Sequence, residues 1–299
     1  MTAMIRAGSW EITTIDGGGL YLDGGAMFGS VPRVVWEGCI PPDEAHRIPL
    51  ATRLMLARNQ DSERLIVIDA GVGDKEEESF RHRFDIRLPE GVGATPLERA
   101  IRNSGFDPAE VTDVIITHLH FDHVGGATRL DSSGESVPVL PHACHWVQKR
   151  NWDTALSPNI REKASYLRQN VEPLEGTELK LLDGPAEIFP GVSVEEVDGH
   201  TQGMQTVRFE GGGRVIRYLA DLAPTIHHLR AAWTMGYDIH ALQVVKEKKQ
   251  LLESSAAEEA WLALEHDPVH PWAKVIEEKG RFKAIPVSEE ELLGGTAST

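Results

Sequence analysis

The sequence predicts an α/β fold, because strand-like apolar runs alternate with amphipathic helical segments along most of the chain. Two predicted strands, residues 64–69 and 111–117, flank a predicted helix at 96–103. This order implies a crossover unit with a site at the carboxyl edge of the sheet. The second half again shows short strands followed by helical spacing. Two such halves favour a layered sandwich, and we expect one domain over residues 1–299.

Glycines and turn residues divide the N-terminal part of the chain. Residues 11–23 alternate apolar positions around three glycines at 17–19, which predicts a hairpin at a sheet edge. Residues 24–42 contain aromatic residues without a clean period, and we expect a long loop that lies over a pocket. Residues 53–56 predict a further strand before the buried strand at 64–69.

Later segments have clearer patterns. Thr95 as N-cap, Glu98 in the first turn and Gly105 beyond the end predict the helix at 96–103. The strand at 111–117 then runs directly into a cluster of histidines. The other predicted elements are a helical region at 146–169 broken at Pro158, strands at 193–197, 206–209 and 215–219, helices at 246–264 and 273–279, a strand at 282–286 and a frayed tail at 294–299.

Composition narrows the class of protein. Apolar residues make up 41% and charged residues 25%, as in a globular protein with a sizeable core. Thirty basic and 46 acidic residues give a formal net charge of -16, which disfavours binding to nucleic acid or to an anionic membrane surface. The two cysteines indicate a reducing compartment rather than a disulfide framework. Because the first ten residues lack the apolar run of a signal peptide, we expect a cytoplasmic protein.

The main chemical signal is the segment His118-Leu119-His120-Phe121-Asp122-His123, which follows the predicted strand at 111–117. His118 and His120 alternate along an extended segment, and Asp122 and His123 follow as the chain bends toward two glycines. Imidazole nitrogens and carboxylate oxygens suit zinc, with iron, manganese and cobalt as alternatives. A chance cluster is disfavoured because burying these groups without a cation is costly.

This segment, extended by Thr117 and by Val124-Gly125-Gly126, resembles the signature of the metallo-β-lactamase superfamily, in particular its lactonase-like branch of quorum-quenching N-acyl homoserine lactonase type. Other short motifs follow the family's order along most of the chain. They are Ile68-Asp69-Ala70-Gly71, Gly199-His200-Thr201-Gln202-Gly203, Ala220-Asp221-Leu222 and Glu265-His266-Asp267-Pro268. The resemblance implies a four-layer αβ/βα sandwich with metals in a cleft at one sheet edge.

The resemblance also implies two divalent metals that share a carboxylate. One metal takes three imidazoles, the other takes two imidazoles and a carboxylate, and a further carboxylate bridges them. In that order, the residues are His118, His120 and His200; His123, His266 and Asp122; and Asp221. His270 is the alternative to His266, and His266 is favoured because the family's last ligand also precedes Asp-Pro.

Other residues are candidates for supporting or contacting roles. Asp69 resembles the family's aspartate that supports the metal loop without binding metal. Met27 and Phe28 are candidates for an apolar substrate entrance, with Trp36 nearby, and His228 is a candidate substrate contact beside His227. Where lactonases of the family often carry a tyrosine three residues after the bridging aspartate, this chain has Pro224, and Tyr237 is the candidate replacement.

The implied activity is a metal-dependent hydrolysis in which a metal-bridging hydroxide attacks an ester-like bond, with lactones favoured. Asp122 and Asp221 are the expected catalytic residues, Asp122 orienting the hydroxide or passing a proton to the leaving group. The alternatives are a phosphotriester or aryl ester hydrolase, a mononuclear iron persulfide dioxygenase, or a non-catalytic metal-binding module. The expected partner is a small ester or lactone, and the oligomeric state stays open, a homodimer included.

Overall fold

The computed structural model describes residues 4–292, in which two seven-stranded sheets form the centre of the fold. The tail expected at 294–299 lies outside the described residues. In chain order, the first half contains β1 (Ile5–Ala7), β2 (Trp10–Asp23), α1 (Gly24–Phe28), α2 (Arg33–Trp36), β3 (Arg47–Asn59), β4 (Leu65–Ile68), α3 (Glu78–Arg83), α4 (Pro96–Asn103), β5 (Asp113–Ile115), α5 (Phe121–Val124), β6 (Thr128–Leu130), β7 (Ser136–Pro138), β8 (Cys144–Gln148), α6 (Lys149–Leu156), α7 (Arg168–Val171) and β9 (Glu178–Leu182). The first sheet has the order β1-β2-β3-β4-β5-β8-β9.

The second half of the chain forms the other large sheet. It contains β10 (Ala186–Phe189), β11 (Val192–Val197), β12 (Met204–Gly211), β13 (Arg214–Tyr218), α8 (Ala241–Ala257), β14 (Trp261–Ala263), β15 (Trp272–Glu278), β16 (Arg281–Pro286) and α9 (Glu289–Leu292). Its strands are ordered β10 to β16, and the β13–β14 pair is parallel. The longest of these helices, α8, has 17 residues, and within residues 4–292 no helix has the length and apolar content for crossing a bilayer.

The two sheets face each other across an apolar core. On β4, Ile66 and Ile68 belong to this core, whereas Leu65 and Val67 point to the opposite face, as the alternation of a strand requires. Helices α4 and α6 cover that outer face, and α8 packs on β15 of the second sheet. The resulting order of layers is helix, sheet, sheet, helix, so the predicted α/β class and four-layer sandwich are confirmed.

Residues 10–23 form one continuous strand, so the predicted hairpin at 11–23 is wrong. β2 pairs with β3 along its length, with a register shift between Asp16 and Gly19, and β1 is the outermost strand of the sheet. Gly18 lies in this bulge with φ +102°, and a Cβ atom on it would lie 2.2 Å from the carbonyl oxygen of Arg87. The glycines therefore mark a bulge where a second backbone approaches, and they do not turn the chain.

Two other segments differ from the predicted elements. Residues 24–42 contain the short helices α1 and α2, where a long loop was expected. Residues 273–279 were predicted as a helix, but residues 273–278 belong to β15, which pairs with β14 on one side and β16 on the other. Its buried residues include Trp272 and Val275, so packing between neighbouring strands decides this conformation over local helical spacing.

The crossover unit that leads to the histidine cluster forms as predicted. Helix α4 begins with a capping box in which Thr95 Oγ1 accepts from Glu98 N and the Glu98 carboxylate accepts from Thr95 N. The helix connects β4 to β5, and these two strands are parallel neighbours in the sheet. Their carboxyl ends therefore lie side by side, and the segments after them meet at one edge of the sheet.

Candidate metal centre

The histidines and aspartates of the sequence motifs converge where the two sheets meet at one edge. The first sheet supplies Asp69 directly after β4 and the segment 118–123 after β5. The second sheet supplies His200 after β11, Asp221 after β13 and His266 after β14, each three residues beyond the end of its strand. Strand ends from both sheets thus place these side chains around one point.

Close backbone packing holds the segment 117–126 against the turn after β4. Thr117 donates hydrogen bonds from its backbone N and from Oγ1 to the two carboxylate oxygens of Asp69, both at 2.7 Å. Ala70 N donates to the carbonyl oxygen of His123 at 2.7 Å. A Cβ atom on Gly126 would lie 2.1 Å from Ala70 O, so only glycine permits this approach. These contacts fit the supporting role expected of Asp69.

Three imidazoles and one carboxylate form a first group of inward-facing atoms. His118 Nε2 lies 3.0 Å from His120 Nδ1, and His200 Nε2 lies 3.2 Å from the same atom. Asp221 Oδ2 lies 3.2 Å from His200 Nε2. One ligand atom from each of the four residues lies within 4.8 Å of the others. This spacing allows one cation to contact all four side chains.

Asp122, His123 and His266 form a second group beside the first. His123 Nε2 lies 3.3 Å from His266 Nε2, and Asp122 Oδ2 lies 3.8 Å from the same His266 atom. The second oxygen of Asp221, Oδ1, lies 3.2 Å from His266 Nε2. Asp221 therefore presents one oxygen to each group of ligands.

The donor atoms fit divalent metal ions. Ring nitrogens that face each other at about 3 Å repel when both are acceptors, and a cation between them removes this conflict. None of the five histidines is more than 7% exposed. Asp221 Oδ1 is buried and has no hydrogen-bond partner within residues 4–292, which is costly without a compensating charge. Imidazole and carboxylate ligands together are typical of zinc, iron, manganese and cobalt sites.

Two of the histidines are oriented by acceptors on their outer nitrogens. His200 Nδ1 donates to Asp238 Oδ1 at 3.0 Å, and His266 Nδ1 donates to the carbonyl oxygen of Ala51 at 2.7 Å. In each ring the proton on Nδ1 leaves Nε2 as the atom with a free lone pair, and Nε2 is the atom that faces the other ligands. The tautomer and the direction of the lone pair are thus set by the surrounding protein.

His123 has two carboxylates at its outer nitrogen. Asp69 Oδ2 and Glu265 Oε2 each lie 3.1 Å from His123 Nδ1, and both side chains are fully buried. Burial opposes the charged form of His123, yet Glu265, Asp221 and Asp122 outweigh it and raise the pKa of this ring well above its usual value. A metal at Nε2 would supply the positive charge that these carboxylates favour.

The pKa values of His118 and Asp221 match the protonation states that a metal ion requires. Burial, together with the charge of His123, holds the pKa of His118 well below its usual value, so this ring stays neutral. Burial favours the neutral form of Asp221, but the surrounding histidines, led by His200, lower its pKa well below the usual range. Neutral imidazole and ionised carboxylate are the forms that bind a metal ion.

Arg53 fixes the loop that carries His266. Its guanidinium Nη1 donates to the carbonyl oxygens of Leu264 at 2.7 Å, Asp267 at 3.0 Å and Glu265 at 3.4 Å. The backbone N of Arg53 also donates to Glu265 O at 3.1 Å. Burial lowers the pKa of Arg53, and the nearby Asp267 opposes this shift. One half-buried cation thus binds the carbonyl groups on both sides of His266.

A cavity of about 330 Å³ opens onto the inward-facing atoms of both groups. Its apolar wall is formed by Leu22, Met27, Leu50, Phe84 and Phe121, and its other polar side chains are Arg161, Glu162, Ser165 and Tyr237. A concave site with one apolar wall and a few convergent polar groups suits a small amphiphilic molecule. Of the expected substrate contacts, Met27 and Tyr237 line this cavity.

Phe28 and His228 lie behind the cavity wall, which differs from the substrate contacts expected of them. The ring of Phe28 is fully buried and stacks on Trp36 and His228, with centroids 5.7 and 4.9 Å apart. His228 Nε2 donates to Met27 O at 2.8 Å, and its Nδ1 accepts from Thr225 Oγ1 at 2.8 Å. Both side chains therefore support α1 and the position of Met27, because aromatic stacking buries them in the core.

The alternative ligand His270 lies apart from both groups, in a different cavity that it shares with His227. His266, by contrast, contributes Nε2 to the second group. The turn at Pro268 separates the two histidines, so they do not share a face. The structure thus places His266 among the ligand atoms and leaves His270 for another role.

Comparison with protein families agrees with this geometry. The model of the metallo-beta-lactamase superfamily matches residues 52–266, which include both ligand groups. This chain belongs to the metallo-β-lactamase superfamily. Membership confirms the resemblance inferred from the sequence.

Two lactonases resemble the chain in sequence, and one solved hydrolase structure resembles it in both sequence and fold. N-acyl homoserine lactonase AttM of Rhizobium radiobacter is 25% identical over 180 residues, covering 58% of this chain and 64% of that protein. An N-acyl homoserine lactonase of Bacillus sp. is 26% identical over 123 residues, 41% of this chain and 42% of that protein. A probable metal-dependent hydrolase from Staphylococcus aureus has a TM-score of 0.83 at 27% identity, covering 95% of this chain and 100% of that one. The matched segments thus span less than two thirds of the length of either lactonase. The names of these three relatives agree with the predicted class, a metal-dependent hydrolase.

A further superfamily structure extends the likeness in fold. AidC, described as a dizinc quorum-quenching lactonase in complex with a product, has a TM-score of 0.74 at 21% identity and covers 95% of this chain and 97% of that one. At this identity the likeness concerns the fold alone. The overall arrangement of the chain therefore belongs to a shared fold.

Several residues of this superfamily site were missed in the sequence. Glu162 lies at the cavity wall, accepts a hydrogen bond from Thr201 Oγ1 and places Oε1 3.9 Å from His120 Nε2. Arg161 beside it donates from Nη2 to the carbonyl oxygen of Gly236. These residues belong to a segment with only a broken helical pattern, which carries no signal for a site. Asp238 and Glu265 had a weak signal, since each is adjacent to a candidate residue, Tyr237 or His266.

Proposed function

We propose that this protein is a dinuclear metal-dependent hydrolase of ester-like bonds, with lactones as its favoured substrates. The observation that carries the proposal is the position of Asp221, whose Oδ2 lies 3.2 Å from His200 Nε2 and whose Oδ1 lies 3.2 Å from His266 Nε2. One carboxylate thus belongs to two adjacent groups of ligands, as a pair of metals in a shared site requires.

The two groups would hold one divalent metal each, and zinc is the metal we favour over iron, manganese or cobalt. The first metal would bind His118, His120 and His200, the second would bind Asp122, His123 and His266, and Asp221 would bind both. When bound, such a pair supplies Lewis acidity and lowers the pKa of water enough to provide hydroxide near neutral pH. The remaining steps fall to the protein's side chains.

Asp122 is the group that we assign to proton transfer. It lines the cavity, is 7% exposed and places Oδ1 3.9 Å from His123 Nε2. Hydrolysis of a lactone breaks the bond between the acyl carbon and the ring oxygen, and the departing oxygen must gain a proton. Asp122 would take a proton from the attacking water and pass it to that oxygen.

Tyr237 is the hydrogen-bond donor that we assign to the substrate. It lines the cavity and lies in the loop that also holds Asp238. Burial raises the pKa of its hydroxyl above the usual range, so the group stays protonated and able to donate. Tyr237 would thus replace the tyrosine that is missing at position 224, where this chain has a buried proline.

The apolar wall accounts for the preference for a substrate with an aliphatic tail. Met27 and Leu50 line the cavity together with Phe84 and Phe121, next to the two ligand groups. A lactone with its polar ring at the metals would lay an acyl chain along this wall, where apolar burial contributes roughly 25 cal/mol per Å². The lactonase names of the relatives support the same substrate class.

A substrate panel with metal analysis tests the proposal. Zinc-loaded protein is assayed by proton release against an N-acyl lactone, an aryl ester and a phosphotriester, and metal per chain is measured on the same sample. We expect two metals per chain and the highest kcat/KM for the lactone, with activity abolished in Asp221→Asn and retained in the exposed control Asp153→Asn. Turnover of none of the three substrates, or one iron per chain unaffected by His266→Ala, would contradict the proposal.

A further inference from the structure

A second cavity, of about 390 Å³, lies beside the loops that follow Asp221 and His266. It is formed by the turn at residues 226–230, by His270 and by residues 282–284 of β16. Its lining residues are Ile226, His227, Leu229, Arg230, His270, Phe282, Lys283 and Ala284. None of them lines the cavity at the ligand groups, so the two cavities have separate walls.

The lining of this cavity is basic in a chain that is acidic. Four of its lining residues are basic, and none of its described lining residues is acidic, although the net charge of the chain is -16. The basic residues are His227, Arg230, His270 and Lys283. A concave surface lined with one sign of charge attracts ions of the opposite sign, and here that ion is an anion.

The neighbouring carboxylate Asp267 does not neutralise this lining through a direct bond. Asp267 Oδ1 accepts from Val269 N at 2.9 Å and from His270 N at 2.7 Å, and Oδ2 accepts from Ile226 N at 2.9 Å. Its oxygens are thus occupied by backbone donors of the loops that shape the cavity. The carboxylate holds the two loops together and leaves the basic side chains available.

The two long cations are weakly engaged. Arg230 stacks its guanidinium on Trp233, 4.2 Å from the ring centroid, and none of its side-chain N–H groups donates to a residue within 4–292. Lys283 Nζ lies 4.0 Å from Glu278 Oε2, at the limit of an ion pair, and both side chains are more than half exposed. Stacking on Trp233 positions the Arg230 guanidinium, and its N–H groups remain able to donate to an oxyanion.

The basic groups are close enough to affect one another. Burial lowers the pKa of His227, and the charges of Arg230 and His270 lower it further, against an opposing effect of Asp267. This mutual repulsion is a cost of gathering positive charge in one place. A bound anion would relieve it, because each cation would then have a partner of opposite charge.

We propose that this cavity is a binding site for the oxyanion group of a small molecule, separate from the metal centre. Arg230 and Lys283 would supply charged donors, and His227 and His270 would supply imidazole donors. The volume exceeds what inorganic phosphate fills, and Leu229 and Phe282 provide an apolar surface for an attached organic part. The ligand class is therefore a small organic molecule that carries a phosphate or a similar oxyanion.

Calorimetric titration of the zinc-loaded protein tests this site with two probes, inorganic phosphate and phenylphosphonate. The double variant Arg230→Gln/Lys283→Gln removes two charges from the lining. The matched control Lys246→Gln/Lys249→Gln removes two charges from exposed positions on α8. Anions that bind at the metals are affected equally in both variants, so the difference between the variants reports the second site alone.

We expect at least one probe to bind about tenfold more weakly to the lining variant than to wild type and to the control, as the loss of charge-assisted hydrogen bonds predicts. A larger effect on phenylphosphonate identifies an organic anion as the ligand, and equal effects identify free phosphate. Equal binding of both probes to all three proteins overturns the proposal. Should the lining variant fail to fold, selenate soaked into wild-type crystals decides by the presence or absence of an anomalous peak between Arg230 and His227.

Discussion

His200 and Asp238 form a hydrogen-bonded pair that joins the two functional parts of the cavity. His200 Nδ1 donates to Asp238 Oδ1 at 3.0 Å, and Asp238 Oδ2 accepts from Met235 N at 2.8 Å. Asp238 directly follows Tyr237, which lines the cavity. The carboxylate therefore orients a ligand of the first group and fixes the loop of the proposed substrate donor.

Replacing this carboxylate should weaken metal binding more than it weakens the fold. For Asp238→Asn we expect zinc affinity to fall about tenfold to a hundredfold, since the amide orients and polarises the imidazole less well. Competition with a chromophoric chelator measures the affinity. The exposed pair member Asp153 provides the control Asp153→Asn, which should match wild type. Unchanged affinity in Asp238→Asn would mean that the pair does not tune the ligand.

Arg53→Met should disturb the second metal more than the first. The variant loses the three hydrogen bonds from Nη1 to the loop around His266, and its free energy of unfolding should fall by roughly 2 to 3 kcal/mol. We expect metal content to drop toward one per chain in limiting zinc. Plasma emission analysis and urea unfolding measure the two effects, and loss of both metals in equal proportion would contradict a role specific to this loop.

Tyr237→Phe should lower kcat and leave KM nearly unchanged. If the hydroxyl donates a hydrogen bond to the reacting oxygen, its removal lowers kcat on the order of a hundredfold. Steady-state kinetics with an N-acyl lactone give both constants. Tyr21→Phe, which alters a hydroxyl outside this cavity, serves as the control and should resemble wild type. An equal loss in the two variants would remove Tyr237 from the reaction.

Met27 and Phe28 are adjacent in sequence and should respond differently to truncation. Met27→Ala enlarges the apolar wall, so KM should rise more for a long-chain lactone than for a short-chain one. Phe28→Ala removes a fully buried ring from its stack and should cost about 3 to 5 kcal/mol of stability. Kinetics across chain lengths and urea unfolding separate these effects, and a chain-length effect confined to Phe28→Ala would reverse the assignment.

Anion binding at the second cavity should strengthen as the pH falls. The pKa of His227 lies below its usual value when the cavity holds no anion, and a bound anion raises it, so binding takes up a proton. Asp267, Arg230 and His270 act on the charge of this ring, and Lys283 lines the same cavity. Sulfate is a suitable probe because its charge does not change between pH 5.5 and 8. We expect its affinity to rise on the order of tenfold or more as the pH falls from 8 to 5.5, and calorimetry measures this change. An affinity that does not change with pH would contradict protonation of His227 on binding.

The sequence predicts which residues gather at this sheet edge because its signals are local. His118, His120, Asp122 and His123 lie within six residues after an apolar strand, and so dense a set of ligand side chains is rare outside metal sites. His200 and Asp221 follow strands of their own, so the family's order of motifs located them as well. The α/β class and the capped helix α4 also depend on patterns within a short stretch of chain.

The features that were missed depend on contacts between distant segments. Glu162 lies near His120 although it is 42 positions later in the chain, and no local sequence pattern predicts this contact. Residues 273–279 have helical spacing, but pairing with β14 and β16 makes them a strand. Phe28 directly follows Met27, a residue of the cavity wall, but its side chain points away from the cavity. Its orientation is set by stacking on Trp36 and His228. Tertiary packing decides each of these cases.

The contact between Gly126 and the carbonyl oxygen of Ala70 limits how this centre can change over evolutionary time. A Cβ atom at this position would lie 2.1 Å from that oxygen, so no residue other than glycine can keep this contact. A change at Gly126 would therefore displace the segment 117–126 from the turn after β4, and with it the three histidines that this segment carries.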